Sequence, residues 1–218
     1  MIDHIQALHL AAGVFLLTAV GALWRRQLPA KVRLLVVQGV ALAAMIGIIG
    51  AQRADLELLA VALGLGVLRA GVMPALIRRA LVPLPQEQRE TRPVVDVATS
   101  LLAAALLTLL AYAVTRPLVA LDPTPITAVL PVAVAVVLIG FFTLTTRRRA
   151  LSQMVGFLLL DNGITATAFL AAGGIPLVVE VGVSFDVLLI VLVLQMLTRR
   201  LRATVGTTDL NELRELRD

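Results

Sequence analysis

The feature that most constrains this chain is a series of seven stretches, each mostly apolar, near 5–24, 32–51, 57–77, 94–114, 125–145, 150–171 and 177–198. About 20 such residues suffice for a helix to cross roughly 30 Å of hydrocarbon. None of the stretches alternates with a period of two, so a membrane β-barrel is not indicated. The expected fold is all-α, a polytopic membrane protein of seven transmembrane helices. Polar turns separate the spans: Arg25 to Lys31, Gln52 to Asp55, Arg78 to Pro93, Arg116 to Thr124, Arg147 to Arg149, and Gly173 to Pro176.

Composition closes off other classes. Hydrophobic residues make up 59% of the 218, charged residues 15%, and the mean hydropathy is +0.96. A soluble domain is about 45–50% apolar and about 25% charged. These values exclude a cytosolic globular enzyme, a disordered tail and a nucleic-acid module. The absence of cysteine excludes a disulfide, a thiolate metal site and an iron–sulfur cluster held by this chain. The net charge of +5 follows from topology, because cytoplasmic loops collect Lys and Arg.

That bias also gives an orientation. Turns after the first, third and fifth spans, with the C-terminal tail, carry 16 of the 19 basic residues. These are Arg25, Arg26, Lys31, Arg33, Arg78, Arg79, Arg89, Arg92, Arg147, Arg148, Arg149, Arg199, Arg200, Arg202, Arg214 and Arg217. Arg53 and Arg116 lie in the opposite turns, and Arg69 lies inside a span. The expectation is an outside N-terminus and an inside C-terminus. The first span lacks a positive n-region and a small-residue cleavage site, so it reads as a retained helix rather than a signal peptide. The expected organisation is a membrane domain over 1–205 and a cytoplasmic tail over 206–218. In that tail Leu210, Leu213 and Leu216 form an apolar stripe on a short amphipathic helix capped by Asp209.

Charges inside the bilayer are costly and mark function by default. Arg69, Asp161 and Asp186 each fall near the midplane, roughly 14–16 Å from a span end at 1.5 Å per residue. Gly64, Gly66, Ala70 and Gly71 around Arg69 suit close helix packing. Arg69 does not release its proton, so it acts as a fixed charge. Burial and the cation act on the two carboxylates in opposite senses. Two acids and one cation leave one negative charge in excess, so a proton shared by the pair suits a relay. The alternative is a static ion pair between Arg69 and one aspartate. Glu180, about 9 Å along the helix from Asp186, is either a link towards the outside or an interfacial acid at a helix N-terminus. Asp96 reads as a first-turn acid. Gln38, Gln153 and Gln195 are amides able to bridge helices. His4 and His9 do not share a helix face, so no haem or metal pair is expected. No cofactor, metal or catalytic motif appears.

Several segments resemble a known family. Gln153-Met154-Val155-Gly156-Phe157 runs into Leu160-Asp161-Asn162-Gly163; Leu177-Val178-Val179-Glu180-Val181-Gly182 and Phe185-Asp186 follow; the tail contains Gly206-Thr207-Thr208-Asp209-Leu210. Together with the length, the span count and a basic residue before Met73-Pro74, these resemble hydrogenase-4 component E. That is a membrane subunit of group 4 nickel–iron hydrogenase and formate hydrogenlyase-type complexes. Its last helices are similar to the K subunit of respiratory complex I and the C subunit of multisubunit sodium/proton antiporters. The resemblance implies a non-catalytic subunit in a bacterial or archaeal cytoplasmic membrane, partnered by antiporter-like pump subunits, with redox chemistry elsewhere. It implies that Asp161 and Asp186 stand where the K subunit has membrane-embedded glutamates, and Arg69 where component E commonly has lysine. Asp161 is one methylene shorter than the family's usual glutamate, and Arg69 removes a titratable group. The expected role is a proton path through Asp161, Asp186 and Glu180, tuned by Arg69. The alternatives are a structural linker between pump subunits and the membrane arm, or an autonomous small ion transporter.

Overall fold

The computed structural model describes residues 2–25, 27–81, 95–147 and 150–171, all within one unit, Met1–Val179. Its helices are α1 (Ile2–Trp24), α2 (Leu28–Arg53), α3 (Leu56–Gly66), α4 (Met73–Leu81), α5 (Val97–Leu121), α6 (Leu130–Thr146) and α7 (Ala150–Ala171). A π-helical segment, Val67–Val72, joins α3 to α4 into one rod. There is no strand among the described residues. Among the described residues, six helical stretches are long and apolar enough to span a bilayer: 4–24, 28–53, 56–78, 97–121, 127–146 and 152–171. The expected seventh span, 177–198, and the tail over 206–218 lie outside the described residues.

Long apolar runs sustain these helices even across Pro74 and Pro117, and the turns between them are built from specific caps. α2 starts earlier than hydropathy suggests, at Leu28, because Pro29 lies in its first turn, where a missing N–H costs nothing. It ends at Ala54, whose left-handed backbone (φ 50°, ψ 35°) lets its N–H bond back to Ala51 and Gly50. The Asp55 carboxylate then accepts from the N–H groups of Glu57 and Leu58 and starts α3. Before α6, Thr124 and Thr127 cap each other reciprocally, each side chain accepting from the other's backbone N–H.

Two further boundaries differ from the sequence reading. α5 continues through Arg116 and Pro117 to Leu121 rather than stopping near 114. The apolar run Leu118 to Leu121 sustains it, and a proline near a membrane helix end is tolerated when local partners re-satisfy the freed carbonyl. α4 runs on to Leu81, into the segment read as a loop from Arg78. Asp96 occupies the N-cap position of α5 without a side-chain capping bond; its backbone carbonyl accepts from Ser100 N–H and Oγ.

Helices α1, α2, α7 and α6 pack in a closed ring, each against the next. α5 lies against α6 and α1 on one flank, and the α3–π–α4 rod lies against α2 on the other. The inner face of α1 is Leu8, Ala11, Ala12, Phe15, Thr18, Ala19, Ala22 and Leu23, at the three- and four-residue spacing of a buried stripe. Leu102, Leu106, Leu109, Val114 and Leu121 of α5 remain exposed, as lipid-facing positions do. The tightest pairing is α6 with α7. A Cβ on Gly140, Gly156 or Gly163 would strike the backbone of Leu160, Leu144 or Val137. Each pair is symmetric about residue 150, which fixes one antiparallel register along the whole hairpin. Small residues permit such backbone approach in a membrane, where hydrophobic burial gives helices little reason to associate.

Candidate functional site

The midplane of the ring holds a connected polar network. Gln38 lies ten residues into α2 and Asn162 twelve into α7, so the two helices start from the same end of the bundle. Asn162 Nδ2 donates to Gln38 Oε1 at 2.8 Å, and Gln38 Nε2 donates to the Phe15 carbonyl of α1 at 3.3 Å. Arg69 enters from the π segment. Its Nη1 donates to Asn162 Oδ1 and its Nη2 to Thr165 Oγ1 at 2.7 Å. The same Nη1 lies 2.8 Å from Asp161 Oδ2.

Helical spacing explains the α7 side. Asp161, Asn162 and Thr165 fall on one face because residues three and four apart are neighbours. Their order also divides the labour. Asn162 and Thr165 take aligned hydrogen bonds from the guanidinium, whereas Asp161 Oδ2 takes charge contact without an aligned hydrogen bond among the described residues. The guanidinium fork is thus spread over three side chains of one helix, which suits its planar set of donors.

The local backbone brings Arg69 to this point. Pro74, near the start of α4, cannot donate to the preceding turn, and its ring crowds the carbonyl four residues back. The wider π turn just before it absorbs that defect; π bulges of this kind are frequent at functional sites. On the α2 side, Gly39 faces the Arg69 backbone, with an added Cβ placed 2.9 Å from the Arg69 carbonyl carbon. Of the small residues expected to pack around Arg69, Gly66 meets the Ala43 Cβ at 3.2 Å, whereas Gly64 and Gly71 face open space. The close approach therefore comes from a glycine on α2 rather than from those two on the rod.

Arg69 and Asp161 are thus in direct contact, and Gln38 bridges three helices. Gln153 is exposed instead. His4 and His9 are exposed, and no group of three or more potential metal ligands occurs among the described residues. Asp186, Glu180 and Gln195 lie outside the described residues. Asn162 and Thr165 were not singled out by charge; their helical spacing from Asp161 is the signal that finds them. Lys31 and Arg147, assigned to polar turns by the charge tally, are buried at 0% and 3% exposure. An earlier start of α2 draws Lys31 into its first turn, and Arg147 closes α6 in extended conformation with its side chain inward.

An uncharacterised protein of Mycobacterium tuberculosis is 51% identical over 208 residues, covering 95% of this chain and 94% of its own. Hydrogenase-4 component E of Escherichia coli K12 is 31% identical over 146 residues, covering 67% of each chain. The chain belongs to the hydrogenase-4 component E family. The same identity and coverage hold for component E of Shigella flexneri. No family model and no solved structure matches. The six helices that are long and apolar enough to cross a bilayer among the described residues fit a multi-pass membrane protein.

Proposed function

We propose that this protein is a non-catalytic membrane subunit of a hydrogenase-4-like complex and that it contributes Asp161 to an intramembrane proton path. The observation that carries this reading is the incomplete satisfaction of Asp161. Its partner Arg69 also donates to Asn162 and Thr165, and Asp161 Oδ2, 2.8 Å from Arg69 Nη1, has no aligned donor among the described residues. A carboxylate in that condition keeps lone pairs open to a proton or a water. Arg69 keeps its charge throughout and biases the site without carrying the proton.

Asp186 supplies the second acid, and Glu180 the link towards the outer surface. The N-terminus lies outside and the C-terminus inside, in a bacterial or archaeal cytoplasmic membrane. Antiporter-like subunits are the neighbours. Redox chemistry belongs to other subunits. The test is to replace Asp161 and Asp186 by Asn singly in the assembled complex and measure redox-driven proton translocation. Intact assembly with lost translocation is expected; intact assembly with undiminished translocation overturns the reading.

One observation favours a structural reading instead. Two hydrogen bonds of the Arg69 guanidinium, and its ion pair with Asp161, run to α7, so the group also ties the α3–π–α4 rod to the ring. Were that its whole role, Asp161→Asn would reduce assembly and leave translocation per electron unchanged in the complexes that remain.

A further inference from the structure

A second polar cluster lies at the other level of the ring, where α2 and α7 begin and α6 ends. Lys31, in the first turn of α2, is 0% exposed, and its Nζ has no hydrogen-bond partner among the described residues. Arg147, at the end of α6, is 3% exposed, and its Nε is likewise unpartnered. Ser152, in the first turn of α7, is 1% exposed, with an unpartnered Oγ. The start of α2 and the end of α6 place these two cations at the same level of the ring, where the Arg147 charge is felt at Lys31. Among the described residues no acid pairs with either.

Two like charges buried together without a counter-ion are unfavourable, and orphaned donors add to the cost. The surroundings are arranged for a negative charge. The positive ends of α2 and α7 open at this level, and α2 has no side-chain cap at Gln27. Lys31 stands three residues inside the start of α2, about 4.5 Å along the axis, in the end turn of the span rather than its middle. Trp24, exposed and stacked under the Arg25 guanidinium at 5.7 Å, marks the same level as a membrane interface.

We propose that Lys31 and Arg147, with Ser152 as a neutral donor at the same level, form a binding site for one phosphate group, supplied by an anionic phospholipid. Phosphate fits this donor set because it offers several acceptor oxygens: one for the ammonium, one for the guanidinium and one for the hydroxyl. Basic pockets between membrane helices take lipid headgroups in this way.

The site can be tested on the full chain purified in detergent micelles. Thermal unfolding is followed while dioleoyl-phosphatidylglycerol, dioleoyl-phosphatidylcholine or inorganic phosphate is added at constant ionic strength. Phosphatidylglycerol should raise Tm and phosphatidylcholine should not. Lys31→Gln and Arg147→Gln should each weaken the half-saturating concentration by about tenfold or more. Lys31→Arg, which keeps the charge, should retain the response. An equal rise with inorganic phosphate supports the site and identifies its ligand as free phosphate. No rise with either source in the wild-type chain overturns the proposal and leaves a partner's carboxylate as the counter-ion. A rise that survives in the double Gln variant overturns it too.

Discussion

Asn162 Nδ2 donates to Gln38 Oε1 over 2.8 Å, tying α7 to α2 at a depth where both side chains are buried. Asn162 also accepts from Arg69, so one amide serves as donor and acceptor at once. Asn162→Leu would remove both functions and leave Gln38 and Arg69 each short of a partner in the bundle interior. Buried groups stranded in this way cost about 1–3 kcal/mol apiece. Intact membrane hydrogen bonds average only about 0.6 kcal/mol, because the unfolded chain in lipid also finds partners. Asn162→Leu is therefore expected to lower unfolding stability by roughly 2–4 kcal/mol, and Thr165→Val by about 1 kcal/mol. Equilibrium unfolding in mixed micelles measures both.

How far the sequence reaches is clearest in these same residues. Arg69 and Asp161 are legible because charge is rare in a span, and the contact between them follows from equal depth once the spans are counted. The π turn under Arg69 is not legible in the apolar pattern; only Pro74 hints at a defect there. Hydropathy likewise does not tell which side of α5 faces lipid, since the bilayer and the bundle core are both apolar. Its buried face is marked instead by Ser100, Ala104, Ala111 and Thr115, a stripe of small residues. Lys31 and Arg147 were hidden for a different reason. A cation near a span end has an adequate topological explanation, so nothing in the sequence separates the buried ones from the solvated ones.

The α6–α7 hairpin should be unusually sensitive to small additions of volume. A Cβ at Gly163 would sit 2.6 Å from the Val137 nitrogen, and one at Gly156 would sit 2.6 Å from the Leu144 nitrogen. Neither neighbour is a flexible side-chain end, so the helices themselves must separate. Gly156→Ala and Gly163→Ala are each expected to cost about 1–3 kcal/mol, the usual range for overpacking. Gly13 and Gly64 face open space. Alanine there should be neutral or stabilising by up to about 1 kcal/mol, through helix propensity alone. Melting temperatures of the four variants, measured under one condition, test the contrast.

Ala54 offers a change in the opposite direction. Its φ of 50° is the one left-handed backbone at a non-glycine position among the described residues. An L side chain there costs roughly 1–2 kcal/mol, part of which glycine returns by losing more freedom on folding. Ala54→Gly should stabilise the α2–α3 turn by about 0.5–1 kcal/mol. Asp55→Ala, which removes the acceptor for the Glu57 and Leu58 N–H groups, should destabilise it by about 1 kcal/mol. Opposite shifts in Tm at adjacent positions would confirm that the turn is held by the left-handed Ala54 backbone and the Asp55 side-chain cap.

Orientation is open to direct labelling, because the chain has no cysteine of its own. Arg25 and Arg53 flank opposite ends of α2 and both are exposed, so they report on opposite faces of the membrane. Arg25→Cys is expected to react with a membrane-impermeant maleimide only after the cells are opened, and Arg53→Cys to react on intact cells. Leu109→Cys, exposed from the bundle but in the middle of α5, should stay unlabelled in both states because a thiol in hydrocarbon is not ionised to thiolate. The reverse pattern for Arg25 and Arg53 would invert the topology, and with it the side from which Glu180 is proposed to serve the path. Labelling of Leu109→Cys on intact cells would instead mean that α5 borders water.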